Sequence, residues 1–169
     1  LNVRLPETLF GDLGAQISAC VSGERGMLAL VARYGLPTIR RYADELNDYA
    51  ERLTRAEFRK MPAGTYRFAD HIDGLGENPV PIEIRVAVRF EDGEAIVDFT
   101  GTSPEVKGGI NATLPFTKAA TYAALRAIMS VEIPTCQGFE RCVRVIAPEG
   151  TLVNPRPPAA CGSRAITGY

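Results

Sequence analysis

The chain has 169 residues, 46% of them apolar, with nineteen basic and twenty acidic side chains and a net charge of −1. That is enough chain for one well-cored domain, and the charge balance gives no electrostatic case for nucleic acid or an anionic membrane as a partner. No apolar run could span a bilayer, and Cys20, Cys136, Cys142 and Cys161 show no CxxC spacing, which points to reduced thiols in a cytoplasmic protein and away from disulfides or a zinc site.

The chain opens LNVRLPE without an initiator Met and stops at ITGY, so it is expected to be an internal fragment of a larger subunit. From Asp12 to Tyr34 the apolar residues fall at 13, 17, 20, 27, 28, 31 and 34, a helical spacing. Gly23 and Gly26 weaken its middle and allow a break into two helices. Gly35 and Pro37 close the segment, and a second helix is expected from near Thr38. There Ile39, Tyr42, Leu46, Tyr49, Leu53 and Ala56 alternate three and four apart. That stripe fits a short coiled-coil seam, but it covers fewer than three heptads. The expectation is therefore an ordinary helix packed on its own domain.

After Met61-Pro62 the period changes to two. GTYRFADHI reads as a strand. VPIEIRVAVRF alternates cleanly, with Val80, Ile82, Ile84, Val86, Val88 and Phe90 on the face expected to be buried. Glu91-Asp92-Gly93 makes a turn, and EAIVDFTG returns as the hairpin partner. A helix is expected from about Phe116 to Met129, then the strand RCVRVIA and the proline-rich loop APEGTLVNPRPPAACG. The fold class is α+β: a helical part over residues 1–61, then a sheet-rich part over 62–169, mainly antiparallel, with one covering helix.

The stretch DFTGTSPEVKGGIN, residues 98–111, has the glycine content of a phosphate cradle but not its chemistry. It lacks the Gly-Lys-Ser/Thr ending of a P-loop, its glycines are not spaced GxGxxG, and the hairpin before it is antiparallel. An anion at Gly108, Gly109 and the following helix N-terminus stays open. Asp98 either caps the loop's own N–H groups or faces a substrate. In GDLGAQ, Asp12 and Gln16 share a helix face; Asp12 suits an N-cap, and Gln16 on an apolar face needs a partner. His71, the sole histidine, lies between two acids on a strand, where neighbours point to opposite faces. No metal site is expected, and no Ser-His-Asp or Cys-His set can be assembled. The candidate substrate-binding residues are Asp12, Gln16, Asp98, Thr100, Thr102 and Asn111. They are short polar groups at element ends where backbone can approach a small ring. No catalytic residue is named.

Several pieces in this order resemble the hydantoinase B/oxoprolinase family: NVRLPETLFGDLGAQISA, GERGMLALVARYG, MPAGTYRFAD, IVDFTGTSPEVKGGINA, APEGTLVNPRPPAACGSR and the terminal TGY. The resemblance implies a large subunit working with a hydantoinase A-type partner of actin-like, ATP-binding fold. The pair would open a cyclic amide, 5-oxoproline or a hydantoin, with ATP hydrolysis. ATP would bind the partner, this chain would hold no cofactor, and a divalent metal would belong to the complete enzyme. Alternatives are a subunit of an acetone- or acetophenone-type carboxylase, whose His/Asp metal cluster would lie upstream of these residues, and a non-catalytic assembly module. Where relatives commonly carry Asn-x-Gly after Ile-Pro, this chain has IPTCQGFERC, so with Cys136 and Gln137 there no polar role of that Asn is carried over to this chain.

Overall fold

The structure, a computed structural model, describes residues 5–162. It has the element order α1 Pro6–Tyr34, α2 Leu36–Phe58, β1 Gly64–Ile72, β2 Ile82–Glu91, β3 Glu94–Asp98, α3 Leu114–Ala127, α4 Gln137–Glu140 and β4 Val143–Ile146. The chain divides into two compact units, one through Glu45 and one from Leu46 onward. The sequence pattern changes at 61, but the last turns of α2 belong with the sheet because Ala50, Thr54 and Phe58 are buried in the second unit's core.

In the first unit, α1 runs unbroken through Gly23 and Gly26. It starts at Pro6, whose fixed φ and absent N–H suit a first turn, with Leu5 at the N-cap. Asp12 therefore lies in the second turn and is not an N-cap. Gly35, at φ 79°, ends the helix and donates its N–H to the Val31 carbonyl. No described side chain of α1 is buried. Among the described residues no helix is long and apolar enough to cross a membrane.

In the second unit, α2 buries Ala50, Thr54, Glu57 and Phe58. The expected packing stripe is not the buried face: Tyr42, Leu46 and Tyr49 are 57%, 47% and 48% exposed. Thr54 can be buried because its hydroxyl donates to the Ala50 carbonyl at 2.7 Å.

The sheet has the order β1-β2-β3-β4. β1 with β2 and β2 with β3 are antiparallel, with Phe68 opposite Val86 and Val88 opposite Val97. β3 with β4 is parallel, Val97 opposite Val145, so the sheet is mixed. The turn between β2 and β3 places Asp92 at φ 52° and Gly93 at φ 78°, the left-handed pair that a two-residue hairpin requires. Ile82 and Phe90 of the alternating run are buried, but Val80 lies before the strand, 73% exposed.

One apolar cluster joins Phe58, Phe90, Ala95, Val97, Leu125, Phe139, Cys142 and Val143, so α2, α3 and α4 all meet the β3–β4 end of the sheet. Here α4, which the sequence pattern did not predict, presses Gly138 against α2: a Cβ on it would stand 1.9 Å from the Asn47 carbonyl oxygen. A second cluster of Ile82, Ile110 and Leu152 lies under the loops after β3 and β4.

Candidate functional site

The glycine-rich loop leaves β3 at Asp98, whose Oδ1 accepts the Thr100 N–H at 2.8 Å. Gly101, at φ 96°, then reverses the chain, a conformation that favours glycine. The next two residues continue the sheet by side chain. Thr102 Oγ1 accepts the Arg85 N–H at 3.1 Å and donates to the Arg85 carbonyl at 3.0 Å. Ser103 Oγ accepts the Glu83 N–H at 2.9 Å, while the Ser103 N–H donates to the Glu83 carbonyl at 2.9 Å. Beyond the end of β3, two hydroxyls thus supply the hydrogen bonds that a strand neighbour would give β2.

The loop then closes on itself and on the proline-rich segment. Asn111, fully buried, accepts the Val106 N–H and donates to the carbonyls of Val106, Gly108 and Ala160 at 2.9–3.0 Å. Leu152 N–H donates to the Ser103 carbonyl, Ala112 N–H to the Leu152 carbonyl, and the Thr117 hydroxyl to the Val153 carbonyl at 2.7 Å. The segments DFTGTSPEVKGGIN and PEGTLVNPRPPAA therefore form one hydrogen-bonded layer.

The six candidate residues fall into three situations. Asp12 and Gln16 lie exposed on α1, in the first unit. Asp98 and Thr100 lie at the mouth of the loop in the second unit, half-buried and exposed, respectively. Thr102 and Asn111 are buried, and their hydrogen bonds go to backbone. Two open grooves flank this unit, and none of the six lines either. One, of about 420 Å³, runs along Asn78, Ile82, Ser103, Glu105 and Lys107. The other, of about 530 Å³, lies between Phe58, Arg59, Thr65, Arg89 and Asp92.

Polar networks that sequence reasoning missed sit away from the loop. Glu57, 3% exposed, accepts from the Lys60 ammonium and from the Ser130 N–H and hydroxyl, both at 2.8 Å. These partners hold its carboxyl down to about 2, the lysine contributing most. Glu51 is held low by Arg55 and Arg141, and Glu83 by Arg85. Burial pushes the Cys142 thiol up to about 11, so it is a protonated core group and not a nucleophile. An acid three residues before a lysine at the end of a helix was the available signal for Glu57. Among the described residues no three ligating side chains converge on a metal position, and His71 Nε2 stands 3.9 Å from Glu83 Oε1 on exposed sheet.

The sequence profile described as Hydantoinase B/oxoprolinase matches residues 1–168. The chain belongs to the hydantoinase B/oxoprolinase family. It is 34% identical over 163 residues to the caprolactamase subunit beta of Pseudomonas jessenii, covering 94% of this chain and 27% of that one. It is 33% identical over 159 residues to a 5-oxoprolinase of Saccharomyces cerevisiae, covering 92% of this chain and 12% of the relative. The crystal structure of the ATP-dependent caprolactamase from Pseudomonas jessenii superposes with a TM-score of 0.82 at 32% identity, over 99% of this chain and 28% of that one. A nucleotide-free acetone carboxylase superposes with a TM-score of 0.66 at 18% identity over 79% of this chain and 19% of that one, a likeness of fold alone. This hydantoinase B/oxoprolinase chain spans 30% or less of the length of the curated relatives it matches.

Proposed function

We propose that these residues form part of the B-type subunit of an ATP-dependent cyclic amide hydrolase, opening the ring of 5-oxoproline, a hydantoin or a comparable lactam. The observation that carries this reading is the agreement in backbone and sequence, over nearly the whole chain, with an ATP-dependent caprolactamase. A cyclic amide carbonyl is a weak electrophile, and ATP supplies the phosphoryl group that turns its oxygen into a leaving group. The glycine-rich loop lacks the Gly-Lys-Ser/Thr ending of a P-loop, and its Thr102 and Asn111 are committed to backbone groups. In keeping with the family resemblance, ATP is assigned to a hydantoinase A-type partner, and the complex to the cytoplasm.

Within this chain, Asp98 and Thr100 at the loop mouth and Asp12 and Gln16 on α1 are the groups proposed to meet the substrate. In the second unit, Thr102 and Asn111 act behind Asp98 and Thr100 as positioning residues that fix the loop. No step through a metal is derived, because the described ligating side chains do not converge. The carboxylase reading is supported by fold alone, at 18% identity.

The polypeptide carrying these residues, purified with its A-type partner, is expected to hydrolyse ATP in response to 5-oxoproline, a hydantoin or caprolactam. ATP turnover that instead requires a ketone and bicarbonate would transfer it to the carboxylases. The 169-residue chain alone is expected to be inactive.

A further inference from the structure

Val86 and Val88 pack on the core side of the sheet, so strand alternation turns Arg85 and Ala87 to the opposite, solvent side. In the register of β1 with β2, Arg67 stands opposite Ala87 and Ala69 opposite Arg85, on that same side. The two arginines are therefore diagonal neighbours, about 7–8 Å apart at the backbone, and the alanines leave the space between them open. Asp98 stands on the other side of Ala87, opposite it on β3. This seat adjoins the mouth of the glycine-rich loop and lies wholly within the second unit. Arg85 is fixed there at three points. The Thr102 hydroxyl bonds its N–H and its carbonyl. Its stem lies across Gly101, where an added Cβ would stand 3.1 Å from the Arg85 Cδ. Its Nη2 meets Glu83 Oε2 at 2.8 Å, yet 56% of the side chain stays exposed. A guanidinium has five N–H donors, so several remain for a ligand. Arg67 is exposed and has no ion pair among the described residues.

We infer that Arg67 and Arg85 hold a carboxylate carried by the substrate ring. The inference rests on the cyclic amide hydrolase reading and narrows it: the substrate is a cyclic amide with an acidic substituent, as in 5-oxoproline, and not a plain lactam. The chemistry of the pair selects this occupant. A planar guanidinium fork matches the two oxygens of a carboxylate, and a side chain already pinned loses little freedom on binding. A phosphoryl group fits less well, because it would bring a charge of about −2 beside the carboxylates of Glu83 and Asp98. With its carboxylate between the arginines, the ring lies over the small Ala87. Its amide then points toward Asp98 and Thr100, the loop-mouth groups proposed to meet it. Gly101 serves the same arrangement, since a side chain there would displace the Arg85 stem.

The test uses the complete polypeptide with its A-type partner and pairs of rings that differ only in the acidic group: 5-oxoproline against 2-pyrrolidinone, and hydantoin-5-acetate against hydantoin. The readout is the preference for the acidic member, the ratio of its kcat/KM for ATP-dependent ring opening to that of the neutral one. Wild type is expected to prefer the acidic member of at least one pair by more than tenfold. Arg85→Gln and Arg67→Gln are each expected to cut that preference at least tenfold, mainly through KM for the acidic ring. Both side chains are exposed, and the bonds between Thr102 and Arg85 are to backbone, so both variants should melt near wild type. A wild type that favours the neutral rings would overturn the inference and leave the hydrolase reading standing. So would variants that slow both members of a pair equally, which would give the arginines to the phosphoryl group. Variants that melt early with the preference intact would assign them to a contact within the assembly, and overturn it too. A complex that opens no cyclic amide at all would instead overturn the hydrolase reading itself, and the inference with it.

Discussion

The Asn111 side chain donates to the Ala160 carbonyl at 2.9 Å, tying together positions 49 residues apart in the chain. The same amide holds Val106 and Gly108, so one buried side chain sets both the glycine-rich loop and the proline-rich segment against it. Removing it takes the partner from an N–H and three carbonyls around a fully buried position. Asn111→Ala is expected to destabilise the chain by about 2–4 kcal/mol. Asn111→Asp should be no milder, since it turns a carboxylate toward three carbonyl oxygens. Urea denaturation checks both, and a midpoint unchanged in either variant would refute this role.

Two glycines of opposite environment make a paired prediction. At Gly138 an added Cβ would meet the Asn47 carbonyl oxygen at 1.9 Å and the Ala50 Cβ at 3.0 Å, and backbone cannot step aside as a side chain can. Gly138→Ala is expected to cost more than about 2 kcal/mol by forcing α4 off α2. Gly23, inside α1, has nothing within 4 Å of the same added atom. Gly23→Ala is expected to raise helix stability by up to about 1 kcal/mol. Thermal melts followed at the helical circular dichroism band would separate the two.

The Glu57 carboxyl predicts a pH dependence. Its folded pKa is lowered from 4.5 to about 2, so the unfolded chain binds the proton more readily. The stabilisation is therefore fully present above about 4.5 and is lost as pH falls toward 2. Denaturation midpoints measured from about pH 6 down to about pH 2 should fall for wild type, and fall less steeply for Glu57→Gln. Some slope should persist in the variant, because Arg55 and Arg141 still hold Glu51 low and Arg85 still holds Glu83 low. An identical slope in the two proteins would rule Glu57 out as a contributor.

The β2–β3 hairpin was legible in the sequence because its determinants are local: period-two alternation on either side of a turn whose Asp92 and Gly93 take positive φ. Gly35 marked the joint between α1 and α2 for the same reason. The burial of α2 was not legible. Its core face is Ala50, Thr54, Glu57 and Phe58, half of it polar; Thr54 is satisfied within its own helix by the Ala50 carbonyl, and Glu57 by Lys60 nearby and by Ser130, 73 residues away. The parallel pairing of β3 with β4 was hidden as well, since it joins Val97 to Val145 across two helices, α3 and α4, and the loops around them.

At the candidate site, residue type was informative and role was not. Thr102 and Asn111 look alike from sequence as ligand contacts or as loop pins. What distinguishes them from Asp98 and Thr100 is burial against Arg85 and Ala160, contacts 17 and 49 residues away. Sequence spacing could place all four on one loop but could not say which of them turn inward.

The remaining prediction concerns activity in the complete enzyme with its partner. Asp98 uses Oδ1 to accept the Thr100 N–H, and the amide oxygen of an asparagine in its place could do the same. Asp98→Asn thus removes the charge and leaves the turn. Gln16 is exposed on α1, so Gln16→Ala leaves no buried group unpaired. If these side chains meet the substrate, each variant should lower turnover by more than tenfold, about 1.4 kcal/mol of transition-state stabilisation, with melting behaviour nearly unchanged. Steady-state kinetics and a thermal melt on the same preparations check both halves of that expectation. Variants that melt early yet keep normal activity per folded molecule would assign Asp98 and Gln16 to the fold and leave the substrate contacts to be sought elsewhere.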